Sequence, residues 1–203
     1  MATKKRLAEQ VMRIVSGGHL KPDRTIDIRE VMLYIDQLRD KAAKLAAYEA
    51  QKMGNHSMDQ SWLSFQENIT VQAAGANGLE YIDLPVKILA LPGGLGLYQV
   101  SPVDDMTDAF KIIFAGQQGL LAGTQALAHT GNTYCWAVGD TVYLINNGEV
   151  AVSALVVASS DSIAESADYP VPPEVEDDII KEAVQMFGVM QQIPHDERED
   201  GQK

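Results

Sequence analysis

The sequence predicts an α+β protein: a helical bundle formed by N-terminal helices and a C-terminal helix, with an antiparallel β-sandwich or small barrel inserted between them. Three observations carry this expectation. Apolar residues recur at helical spacing through most of the first 52 positions. From Trp62 to Ser160 the chain changes to short runs rich in Val, Ile, Leu, Thr and Tyr, broken by Gly, Pro and Asn. It then closes with "DYPVPPEVEDDIIKEAVQMF", a proline-set entry into a further amphipathic segment. The expected division is 1–56 with 170–193 for the helical part, 57–169 for the β-rich insertion and 194–203 for a flexible polar tail.

The first helix is read from Leu7, Val11, Ile14 and Val15 within residues 4–16. Gly17 and Gly18 stop it, because glycine accepts the left-handed conformation that helix ends often need. The second helix carries the clearest start signal. Asp27 is an N-cap, Glu30 stands three positions on as in a capping box, and Ile26 and Val31 occupy the two positions of a hydrophobic staple. Ile28, Val31, Ile35, Leu38, Ala42 and Leu45 then alternate at steps of three and four, a heptad-like seam. The helix is expected over about 28–52, with Gly54 as terminator, and is roughly 37 Å long at 1.5 Å per residue. A small core needs less than this, so the seam is either an internal packing stripe or one shared between subunits.

Within the β-rich part, "SWLSFQENITVQ" alternates apolar and polar as a half-buried strand does. "LEYIDLPVKILAL" reads as one strand or as two broken at Pro85, and "LGLYQVSPV" as another. "AFKIIFAG" fits strand or helix. "NTYCWAV", "TVYLIN" and "VAVSALVVAS" read as a meander with tight turns at Gly139-Asp140 and Asn147-Gly148. The last helix is expected from Pro173, where a missing N–H costs nothing. Acidic residues at its start suit the helix dipole. Val175, Ile179, Ala183, Met186, Phe187 and Met190 form its apolar face.

Composition narrows the function classes. No apolar run approaches the roughly 18–20 residues of a membrane span, and the N-terminus lacks the continuous apolar stretch of a secretory signal. The single Cys135 excludes an internal disulfide framework, which fits synthesis in a cytoplasm. The formal charge is -12, unevenly spread. Residues 1–53 hold 11 Lys+Arg against 7 Asp+Glu, whereas 54–203 hold 5 against 21. The acidic part would repel nucleic acid. The basic start interleaves its charges with acids on long helices and reads first as solvated helix faces; a nucleic-acid patch, or contact with an acidic surface of the same chain or of a neighbouring copy, are the alternatives.

No catalytic, cofactor or metal residues are assigned. His19, His56, His129 and His195 are far apart and share no metal-ligand spacing. Cys135, between Tyr134 and Trp136, reads as a buried structural thiol rather than a nucleophile. "LPGGLGLY" and "FAGQQGLLAGTQAL" lack the phosphate-loop ending and the dinucleotide fingerprint. The second is long and uncharged, and an exposed loop that orders on a partner is an alternative to simple turns. "VDDMTD" and "EVEDD" do not match a calcium loop and read as a turn and a helix start.

Taken together, "KKRLAEQVMRIVSGG", "IDIREVMLYIDQLRDKAAK", "NTYCWAVGDTVYLINNGEVAVSALVVASS" and the C-terminal "DYPVPPEVEDDIIKEAVQMF" with its tail "QQIPHDEREDG" resemble a structural protein of tailed bacteriophages. The resemblance is strongest to the ring or adaptor proteins at the head–tail junction of crAss-like phages. It covers both ends and the meander and is vague over 54–130. It implies a non-enzymatic virion component, without cofactor, that forms a homo-oligomeric ring of about twelve copies below a portal protein. It also implies contact with other neck and tail proteins, no membrane, and DNA passing through without specific binding. The alternative is a cellular β-rich binding module with a helical dimerisation unit. Candidate contact residues are Ile35, Leu38 and Leu45 on the long helix, Gln117, Gln118 and Leu120 in the uncharged loop, Phe187 and Met190 on the last helix, and His195 and Arg198 in the tail.

Overall fold

In the computed structural model the chain is described over residues 3–17, 26–54, 58–73, 79–94, 96–114, 117 and 131–192. Among the described residues, three helices and two sheets make it an α+β protein. The helices are α1 (Lys4–Val15), α2 (Ile28–Lys52) and α3 (Pro173–Gln192). The strands are β1 (Ser64–Thr70), β2 (Glu80–Asp83), β3 (Leu97–Pro102), β4 (Lys111–Ile112), β5 (Tyr134–Val138), β6 (Thr141–Ile145) and β7 (Ala151–Val156). The chain forms two compact units, 1–39 with 165–203 and 40–164. The division falls inside α2, between Arg39 and Asp40, and again at 164/165, rather than at 56/57 and 169/170.

In the first unit, α1 starts at Thr3, whose hydroxyl accepts from the Arg6 backbone N–H at 3.3 Å. It ends at Gly17, which takes a φ of +63°. Asp27 caps α2 by accepting from Arg29 N at 3.0 Å, and the staple residues Ile26 and Val31 are both buried. Pro172 opens α3 by accepting from the amides of Val175 and Glu176, both at 3.0 Å, so Pro173 sits at the first helical position. Helices α1 and α3 pack together, and Leu7 and Val11 on the one and Ile179 and Ala183 on the other are buried. Tyr34 of α2 meets Phe187 of α3 edge-on, with ring centroids 5.7 Å apart.

Residues Val31, Ile35, Arg39, Ala43 and Ala47 of α2, each four apart, are all fully buried. A row of step four advances about 40° per step around a 3.6-residue helix. The buried side therefore rotates along α2. This corrects the seam read from sequence: its later members move from Ala42 and Leu45 to Ala43 and Ala47, and Leu45 turns outward, 57% exposed.

In the second unit one sheet runs β1-β7-β3 and the other β2-β6-β5-β4. Inward residues of both, including Ile82, Val100, Cys135, Leu144, Val152 and Val156, form one apolar cluster. The second sheet is mixed rather than wholly antiparallel, because β4 pairs parallel to β5. Parallel pairing needs a crossover of a dozen or more residues, and 113–133 supplies that length. This pairing settles "AFKIIFAG" as containing a short strand, Lys111–Ile112. The break at Pro85 ends β2, and Ile88 makes only an isolated bridge to Ala158.

The meander is half as expected. Strands β5 and β6 form a hairpin through Gly139-Asp140, with Gly139 at φ +64°. Asn147-Gly148 is not a hairpin turn, since β7 pairs with β1 and β3 in the other sheet. Asn146 takes the positive φ there, +55°. The Asn147 amide donates to Glu80 Oε2 and to the Glu149 carbonyl, both at 2.8 Å, which guides the chain out of one sheet toward the other.

Candidate interaction surface

Among the described residues, the ionisable groups that sequence singled out do not converge. Cys135 is buried, and burial pushes its thiol up to about 12. A thiol so held stays protonated and is a poor nucleophile. All four histidines lie outside the described residues. Among the described residues, no group of three His, Cys, Asp or Glu side chains is arranged to hold a metal. In "VDDMTD", Asp105 accepts from the Thr107 amide at 2.8 Å and its hydroxyl at 2.5 Å, closing a turn. These bonds hold the Asp105 carboxyl below its usual value. The carboxylates of "EVEDD" open α3, as read from sequence.

Two polar clusters that sequence reasoning missed hold the chain together. In the first unit the Lys4 ammonium pairs with Asp36 Oδ2 at 2.8 Å, and the Tyr169 hydroxyl donates to Asp36 Oδ1 at 2.8 Å. Arg39, fully buried, donates through Nε and Nη2 to the Pro170 carbonyl, each at 3.2 Å, with its guanidinium 5.8 Å from the Tyr169 ring centre. This network ties α1, α2 and the segment before α3. In the second unit Asp40 accepts from the Ser160 hydroxyl at 2.6 Å and its amide at 3.2 Å. Lys87 and Asp161 pair at 3.0 Å on the surface. The Ser159 hydroxyl first, and then Lys87, hold Asp161 below its usual value.

The "LPGGLGLY" glycines have a packing role. A Cβ on Gly96 would strike the Leu89 carbonyl oxygen and come within 2.5 Å of Ile88 Cγ2. The Gly96 carbonyl accepts from Val157 N at 2.8 Å. Beside it lies an apolar groove of about 470 Å³ lined by Leu89, Leu91, Leu97, Ile112 and Phe114, among others. On β5 and β6, Trp136 stacks on Tyr143 at 5.3 Å between centroids.

The candidate contact residues separate. Ile35, Leu38 and Phe187 are buried within the chain and offer no surface to another copy. Leu45 is exposed. Gln117 is exposed, and its side-chain oxygen accepts from Phe114 N at 3.3 Å. Met190 lies in the last turns of α3. Gln118, Leu120, His195 and Arg198 lie outside the described residues. On the distal half of α2, Leu45 is joined by Tyr48 at 58% exposure, and Met53, just past the end of the helix, is 84% exposed. Lys41, Lys44 and Lys52 are exposed on the same stretch. Apolar side chains standing clear of their own chain among lysines form a surface able to bind an acidic or apolar partner. No helix among the described residues is long and apolar enough to cross a membrane. No protein-family model matches the chain, and no curated protein matches it.

Proposed function

We propose that the chain is a structural protein that assembles with copies of itself into a ring, as ring and adaptor proteins do at the head–tail junction of tailed bacteriophages. The observation that carries this reading is the pair of exposed apolar residues Leu45 and Tyr48, set among Lys41, Lys44 and Lys52 on the distal half of α2. The ring would hold about twelve copies by the resemblance in the sequence. It would stack on a portal protein and its neck or tail neighbours, with an acidic wall that lets DNA pass without binding phosphate. Native mass measurement over a range of concentrations tests it. A closed oligomer that also binds portal protein is expected, and a chain that stays monomeric and ignores portal and tail proteins overturns it.

The apolar groove beside Gly96 favours a second reading, a β-rich binding module with a helical dimerisation unit. A stable dimer with saturable binding of an apolar peptide, lost in Phe114→Ser, would establish that reading in place of the ring.

A further inference from the structure

Two helix rows match in spacing and oppose in charge. On α2, Lys44, Tyr48 and Lys52 recur every fourth residue and all are exposed, with exposed Leu45 beside them. On α3, Glu174, Asp178 and Glu182 recur at the same interval, all exposed, and Met186 extends the row as an exposed apolar residue. From first to last member each row spans roughly 12 Å along a helix that rises 1.5 Å per residue.

We propose that these two rows meet between neighbouring copies, α2 of one copy lying on α3 of the next. The inference rests on the self-assembly reading above and names its contact. In either helix orientation lysines face carboxylates at both ends and Tyr48 faces Asp178 at the centre. There the phenol donates and the carboxylate accepts. Leu45 and Met186 supply apolar area at the margin. Charge selects this pairing: a second α2 would set lysine against lysine, and a second α3 carboxylate against carboxylate. Asp178 also pairs with Lys181 at 3.1 Å, and Glu182 has an interaction within its own chain; all three side chains are exposed, and such surface contacts are weak enough to rearrange. Because the two faces differ, the contact is heterologous. Each copy therefore presents one face of either kind, and both are used in every copy only when a ring closes.

The test uses the full chain in two charge-reversed forms, Lys44→Glu with Lys52→Glu and Glu174→Lys with Glu182→Lys. Each is checked by circular dichroism and then followed by sedimentation velocity. Each form alone should self-associate about tenfold or more weakly than the parent, because like charges then face each other. Mixed in equal amounts they should associate again, since their faces complement in both directions and copies alternate around the ring. Tyr48→Ser, which changes no charge, should also weaken association. Both reversed forms assembling like the parent would overturn this contact while leaving self-assembly intact, and so would a mixture that fails to recover. Loss of duplex-DNA binding by K44E/K52E with its oligomer unchanged would make the lysine row a phosphate contact and overturn it too. A parent chain that is monomeric overturns the underlying reading instead.

Discussion

Asp36 accepts from both Lys4 and Tyr169 in a mostly buried setting. Removing one partner of a buried pair leaves the other charge uncompensated, so Asp36→Ala should lower stability by about 3 kcal/mol or more, read from the denaturant midpoint. Cys135 gives a pH signature. Its ordinary value is 9.0, and burial pushes it up to about 12 in the folded chain. Between these values the unfolded thiol has lost its proton while the folded one keeps it. Stability therefore falls as pH rises through that window. Thermal melts at rising pH should show this fall, and it should be smaller in Cys135→Ala. The thiol should also resist disulfide reagents at neutral pH until the chain is unfolded. The buried thiol was legible from its place between Tyr134 and Trp136 in an apolar run. The Lys4–Asp36–Tyr169 cluster was not, because Asp36 lies 32 positions from Lys4 and 133 from Tyr169 in the chain and none carries a local pattern.

Helix α2 shows why start signals read better than buried faces. Asp27 and the Ile26–Val31 staple act within one turn, so local chemistry decides them. The buried row depends on what packs against each turn, and a heptad count drifts from it once the inward side rotates. An apolar stripe is also the same signal whether it meets its own core or a partner, which is why Ile35, Leu38 and Phe187 read as contact residues and proved internal. Ile35→Ala should cost about 2–5 kcal/mol, as large-to-small core changes do. Leu45→Ser should stay within about 0.5 kcal/mol of the parent in its monomeric form. Chemical denaturation of both variants at low concentration checks the contrast. The Asn147-Gly148 segment misled for a related reason. Turn chemistry states that the chain bends, but not which sheet the next strand joins, and β7 found β1 and β3 instead of β6.

For the whole molecule, the charge distribution bears on assembly. A ring held by lysine–carboxylate rows stabilises the folded chain by mass action, so its melting temperature should rise with protein concentration. That rise should shrink near 1 M salt, where the screening length falls to about 3 Å. Calorimetry across a dilution series checks both, and a melting temperature independent of concentration contradicts assembly through these faces. The α+β class was legible because helix and strand periodicities occupy separate stretches of the sequence. The parallel β4–β5 pairing was not, being a long-range choice made by two short residues of backbone. One consequence follows from the clasp of Asp40 on Ser160. It fastens the beginning of the second unit to a point near that unit's end, so the unit is tied shut by its own residues. A segment whose two ends hold each other in this way needs no partner from outside to keep them together, so losing the Ser160 hydroxyl should loosen both ends at once.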